Sequence, residues 1–205
     1  MLKTQRVRRS RAEARSEILR AAQAAASETD FNALTVDEVM RRTGMTRSSF
    51  YHYFSGLDEL AVGLLAQCEH DIRASVDPWL KGETGDADPL AATATHLAAM
   101  FEVMDGHRAA LSAVAQAAGG HPVVYRQWQT RVVDYFIDLT AEFIRRQVAL
   151  GLSAVDDPAR LARALILMNN AVANDNLARG FRDDPAAVAR VLADVWNAAI
   201  YGRTA

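Results

Sequence analysis

Five prolines punctuate this chain: Pro78, Pro89, Pro122, Pro158 and Pro185. They stand between stretches whose apolar residues recur every three or four positions. Proline lacks the amide that an interior helical turn needs, so this placement marks helix ends rather than breaks inside helices. No segment alternates apolar and polar residues for long, which leaves strands without support. The pattern predicts an all-α chain with helices at about 11–27, 36–42, 47–53, 57–76, 90–104, 107–118, 123–150, 158–180 and 186–201. Thr29 to Asn32 ends the first helix, Gly44 separates two short ones, and a polar loop from Lys81 to Pro89 leads into a larger bundle.

Composition narrows the function classes. The 205 residues are half hydrophobic with a formal net charge of −2, which suits a packed core rather than disorder. No apolar run approaches 18 residues, so no membrane span is expected. The first twenty residues are charged and carry no apolar signal-peptide core, and a cytoplasmic protein is expected. Cys68 is the one cysteine, so neither an internal disulfide nor a cysteine-rich zinc site is available.

The near-neutral total hides two parts of opposite sign. Residues 1–56 hold 10 Lys and Arg against 6 Asp and Glu, whereas residues 57–205 hold 13 against 19. The first twenty residues alone contain Lys3, Arg6, Arg8, Arg9, Arg11, Arg15 and Arg20. Such an arm attracts a polyanion or serves as a solvated tail; the segment from Thr35 to Phe54 favours the first.

That segment reads TVDEVMRRTGMTRSSFYHYF. Thr35 and Glu38 have capping-box spacing. Val36, Val39 and Met40 form an apolar face, and Arg41 and Arg42 fall in the last turn, where cations complement the helix dipole. Gly44 supplies a tight turn, and Thr46 caps a second short helix. Two short helices across such a turn form a helix-turn-helix, whose second helix fits the DNA major groove. Phe50 and Phe54 belong beneath that helix. Arg47, Ser48, Ser49, Tyr51 and His52 are left as an unpaired cluster suited to phosphates and base edges. With the two capping threonines, Thr35 and Thr46, they are the candidate DNA-binding residues. A packing hairpin inside a bundle explains Phe50 and Phe54 but not this cluster.

T-V-D-E-V, then G-M-T-R-S-S-F-Y-H-Y-F, then D-E-L opening a long helix, resembles the N-terminal domain of the TetR family of transcriptional regulators over about residues 14–65. The resemblance implies an all-α homodimer. A three-helix DNA-binding domain with the helix-turn-helix, residues 1–56 with the arm, is followed by a larger helical domain for ligand binding and dimerisation, residues 57–205, in which 57–76 is the connecting helix. Leu57 stands where the family usually has Lys, so one usual phosphate contact is missing; backbone amides at that helix N-terminus and the arm are the available substitutes.

The C-terminal half resembles the branch of that family represented by the mycobacterial ethionamide-resistance repressor. Phe101-Glu102, Gly106-His107, Gln116-Ala117-Ala118, Trp128, Leu167-Met168-Asn169 and Trp196 with Ile200-Tyr201-Gly202 carry this likeness. It implies a long, mostly apolar ligand tunnel walled by Thr93, Met100, Met104, Trp128, Tyr135, Asn169 and Trp196. Ile166 replaces a polar Asn of that branch and Thr93 a Trp. The residues themselves allow such a pocket: Met100 and Met104 share a helix face, as do Trp128, Val132 and Tyr135, and Asn169 sits among Leu165, Met168 and Val172. Ordinary core packing would use the same side chains.

Val188, Val191, Leu192, Val195 and Ala199 recur at helical spacing on the last helix, and a homodimer through the last two helices is expected. The five histidines are scattered, and no metal-ligand, phosphate-loop or G-x-S-x-G pattern is present. No catalytic residue, metal or cofactor is therefore assigned. The expected function is a repressor that binds a double-stranded operator and is released by a small apolar effector. An activator or ligand-insensitive regulator of the same fold, or a helical small-molecule carrier or enzyme, are the competing readings.

Overall fold

A computed structural model of the chain describes residues 10–180 and 183–202. These residues form α1 (Arg11–Glu28), a 3₁₀ turn (Phe31–Ala33), α2 (Val36–Thr43), α3 (Arg47–Phe50), α4 (Leu57–Lys81), α5 (Pro89–Gly106), α6 (Arg108–Gly120), α7 (Pro122–Trp128), a π-helical segment (Gln129–Asp134), α8 (Tyr135–Ala149), α9 (Pro158–Ala178) and α10 (Pro185–Tyr201). No strand occurs among the described residues.

Side-chain caps start most of these helices. Ser10 and Glu13 form a capping box on α1, and Thr35 and Glu38 form one on α2. Asp88, Asp157 and Asp184 cap α5, α9 and α10, each directly before a proline that tolerates the first helical position. Gly44 ends α2 at φ 66°, a left-handed conformation costly for any residue with a Cβ.

Three expectations are corrected. The second short helix closes as an α-helix at Phe50; the chain then tightens, with Tyr53 N–H donating to the Phe50 carbonyl at 2.9 Å. Tyr51 and His52 therefore sit on a turn. The fourth helix does not stop before Pro78 but carries it in its last turn, ending at Gly82 with Glu83 N–H donating to the Pro78 carbonyl at 2.8 Å. The helix expected over 123–150 is interrupted by the π-helical segment. Each π turn holds an extra residue relative to an α-helix. Here the Arg131 carbonyl is taken by the Arg73 guanidinium at 2.6 Å, while Arg131 itself pairs with Glu69 at 2.5 Å.

One continuous core runs through the molecule. Ile18, Leu19, Phe31, Val39, Met40, Phe50 and Phe54 are buried where α1 to α3 meet the first half of α4, at Leu60, Leu64 and Leu65. α1 and α4 approach closely at Gly63, where a Cβ would lie 2.9 Å from Leu19 Cδ2. The second half of α4, from Cys68 to Leu80, packs into the larger bundle. Thus one 25-residue helix serves both ends of the molecule.

Candidate nucleic-acid interface and effector cavity

At the α3 end, Thr35, Thr46, Arg47, Ser48, Tyr51 and His52 are exposed and Ser49 is half-buried. Buried Phe50 and Phe54, with ring centroids 5.6 Å apart, hold the segment from below. Tyr51 packs edge-on against Phe50 yet keeps 52% of its surface exposed. The Thr46 hydroxyl lies 2.9 Å from Ser48 Oγ and 2.8 Å from Ser49 Oγ, so three hydroxyls form one outward cluster. Arg47 is not unpaired: it reaches back 2.8 Å to Asp37. Both partners are about three-fifths exposed, and a surface pair of this kind is weak enough to exchange for a phosphate. Thr35 is committed to its capping box, where it lowers the Glu38 carboxyl below its usual range. Leu57 is half-buried against the core and takes no outward place. Of the basic arm, Lys3, Arg6, Arg8 and Arg9 lie outside the described residues, while Arg11 and Arg20 are exposed on α1.

The α3 end is pinned to the larger bundle by α6. Phe31 N–H, in the 3₁₀ turn between α1 and α2, donates to Gln116 Oε1 at 2.6 Å, and Asn32 Nδ2 donates to the Gln116 carbonyl at 3.0 Å. His121, just after α6, lies 2.6 Å from Asp58 in the first turn of α4.

Within the bundle, a cavity opens between α4, α5, the α7–π–α8 rod, α9 and α10. Its empty space, mouth included, is about 630 Å³. Ile72, Val76, Trp79 and Leu80 come from α4, Leu97, Met100 and Met104 from α5, and Trp128, Val132, Val133 and Phe136 from the rod. Ile166, Asn169, Asn170, Ala173 and Trp196 complete the wall. All three tryptophans of the chain line it, and none of its lining residues is charged.

The structure brings five of the expected wall residues together: Met100, Met104, Trp128, Asn169 and Trp196. The other two are placed elsewhere. Thr93 is fully buried but donates its hydroxyl to the Pro89 carbonyl at 2.9 Å, away from the cavity. Tyr135 turns toward α4, where its hydroxyl donates to Asp77 at 2.5 Å and Arg73 lies 3.6 Å above its ring. Burial and that hydrogen bond hold its phenol above the ordinary range. The cause is the π segment: Trp128, Val132 and Tyr135 share a face only at 3.6 residues per turn, and the extra residue brings Phe136 to the wall instead.

Sequence reasoning missed Asn170. Its Oδ1 accepts from Trp128 Nε1 at 3.2 Å, as Asn169 Oδ1 accepts from Trp196 Nε1 at 3.2 Å. The two adjacent amides thus each hold one indole, a pattern legible only once the tryptophans are known to face them. Asn176 is buried too, accepting from Asp183 N–H at 3.4 Å. Leu192, expected on the dimer face, is buried in the chain's own core because α10 turns it toward the bundle together with Ala189, Trp196 and Ile200. Val191, Val195 and Ala199 are exposed.

Burial pushes the Cys68 thiol up to about 12, so it stays protonated. Among the described residues no three His, Cys, Asp or Glu side chains are grouped to hold a metal ion, and no helix is long and apolar enough to cross a membrane.

The family described as transcriptional regulator EthR, C-terminal domain, matches residues 93–202, and the family of bacterial regulatory proteins, tetR family, matches residues 18–64. No curated protein matches the sequence. Among solved structures, Salmonella enterica GusR superimposes with a TM-score of 0.73 at 17% identity, covering 94% of this chain and 97% of that one. PfmR from Thermus thermophilus, a TetR family transcriptional regulator, gives 0.69 at 21% identity, covering 87% and 95%. NalD, the secondary repressor of the MexAB-OprM multidrug efflux pump in Pseudomonas aeruginosa, gives 0.70 at 20% identity, covering 93% and 98%. At such identities these structures establish the likeness of fold.

Proposed function

The chain belongs to the TetR family of bacterial transcriptional regulators, and from that premise we propose that it is a repressor released from its operator by a small, neutral, largely apolar ligand. The matched families and similar structures are transcriptional regulators rather than enzymes. In this reading α3 enters the major groove, with Ser48, Ser49, Tyr51 and His52 toward base edges and Arg47, released from Asp37, on a phosphate. Thr35 and Thr46 hold the two short helices in register at the backbone. A homodimer through α9 and α10 presents two such units to a two-fold operator.

The observation that carries the release mechanism is the double use of α4. Its first half packs under α1 at Leu60, Gly63 and Leu64, while its second half, through Ile72, Val76, Trp79 and Leu80, is a wall of the cavity. A ligand shifts DNA affinity only by preferring one conformation. Filling an uncharged cavity beside α4 favours conformations in which α4 is displaced, and displacement moves both recognition helices from their groove spacing of about 34 Å.

The test begins with a duplex selected by the protein from a random pool. Tyr51→Ala and Ser48→Ala should each weaken binding to it by about 1–3 kcal/mol, with nonspecific binding unchanged. A neutral lipophilic compound identified by native mass spectrometry of the purified protein should lower its affinity about 5–150-fold. A compound that alters tryptophan fluorescence and leaves duplex affinity unchanged would refute the release mechanism.

A further inference from the structure

Beyond Met104, Trp128, Asn170 and Ala173 the apolar cavity adjoins a second space between α6, α7 and α9, whose empty volume to its mouth is about 1570 Å³. The four residues named line both spaces. The chemistry changes across these four residues. The inner wall is aliphatic and aromatic, whereas the outer one adds Ser112, Gln116, Tyr125, Gln129 and Asn174. No lining residue of the outer space is charged either. A cluster of neutral amides and hydroxyls beside an uncharged cavity satisfies hydrogen-bonding groups while offering nothing to neutralise an ion.

We propose that this amide-lined chamber is the second compartment of the effector site, taking the uncharged amide or hydroxyl end of a molecule whose apolar remainder fills the inner cavity. The proposal rests on the ligand-release reading and adds the ligand's chemical class: an elongated neutral amphiphile, not an alkane and not a carboxylate. It also identifies Gln116 as the residue that senses the head group. Gln116 lines the chamber, and its side chain holds Phe31 N–H through Oε1 while its Nε2 contacts Ser112 Oγ at 3.3 Å. A head group that donates a hydrogen bond shares that oxygen with Phe31 N–H and weakens the existing bond. Occupancy of the chamber therefore loosens a direct tie between α6 and the α1–α2 connection, in addition to any movement of α4.

Butylbenzene, decanamide and sodium decanoate at pH 8 serve as probes, read by the fluorescence of the three tryptophans in the full-length protein. Butylbenzene reports the inner cavity alone, and its failure to bind would count against the ligand-release reading itself. Decanamide should bind at least tenfold more tightly than decanoate. Asn174→Leu and Gln129→Leu should each erode that preference at least fivefold and leave butylbenzene binding unchanged. Asn174 is exposed, so a folded variant is expected, and Asn174→Lys should raise decanoate affinity at least fivefold. Gln116→Met should bind decanamide more weakly, and at saturating decanamide the loss of duplex affinity should be at least threefold smaller than in the parent. With butylbenzene bound, equal affinity for amide and carboxylate, or no response to the Asn174 variants, overturns the second compartment. An unaltered decanamide effect in Gln116→Met overturns the sensing role.

Discussion

Asn169 has a structural bond at a place where the proposed ligand would meet it. Its Oδ1 is occupied by the Trp196 indole, and both residues are buried on the cavity wall. Asn169→Leu removes that acceptor and leaves the Trp196 N–H without a partner, at a cost of about 1–3 kcal/mol. Thermal unfolding without ligand should report this loss. With that oxygen holding the indole, the Nδ2 group is the freer part of the amide to meet a ligand. Asn169→Asp keeps an acceptor but adds charge to an uncharged cavity, so it should lower lipophile affinity more than Asn169→Leu does. Equal stability of the Leu variant and the parent would show that the indole contact contributes nothing. The neighbouring Asn170 obeys the same logic with Trp128. Sequence alone favoured one amide of the run because helical spacing ranks faces, whereas the partners of Asn170 and Asn176 come from α7 and from the loop before α10.

The elements divide into those whose signals are local and those whose signals are not. α2, its turn and the start of α3 are legible because Thr35 with Glu38, Gly44 and Thr46 fix the backbone within a few residues of themselves. The π segment has no such signature: its extra residue is accommodated by Arg73 and Glu69 on α4, more than fifty positions away. The resemblance to the ethionamide-resistance branch put Tyr135 on the cavity wall, and a 3.6-residue period carried through the segment agreed, whereas Phe136 stands there. Thr93 went astray for a different reason. Its position was taken from a relative with Trp there, and a threonine in the first turns of α5 bonds back to the Pro89 carbonyl instead. Deleting Thr130 tests the π segment directly. One residue fewer restores the 3.6-residue period through the rod and leaves Trp128 and Phe136 seven positions apart, on one face. Both side chains then keep their places on the cavity wall. Circular dichroism should show a folded helical protein that binds the selected duplex, with its fluorescence response to lipophiles retained. A folded variant that loses that response would show that the π segment does more than absorb one extra residue.

At the scale of the whole molecule, a single chain leaves an apolar stripe that its own core does not use. α10 packs Ala189, Leu192, Trp196 and Ile200 inward and exposes Val191 and Val195, at 64% and 42% of their surface, with Ala198 and Ala199 beside them. On α9, Ala164 and Ala171 are exposed along the same helix, and Leu167, 40% exposed, is shared with the wall of the outer chamber. In the proposed homodimer, small residues on both helices would let a second copy approach closely, and two helices from each subunit would complete a four-helix contact. Val195→Asp places a carboxylate in the middle of that stripe without touching the inward face, so the fold should survive. Burying an unpaired carboxylate costs more than a contact of this size returns. Sedimentation should therefore show monomers. DNA binding is affected through the linkage of the two recognition units. A dimer engages its second half-site as an intramolecular event, which raises overall affinity by about 10²–10⁴-fold over one unit. The monomer should lose that factor on the selected duplex, while each unit keeps its own surface of Ser48, Tyr51 and His52. The loss is then one of avidity, and joining two Val195→Asp chains by a long flexible linker should recover part of it. A Val195→Asp protein that sediments as a dimer would move the interface off α10.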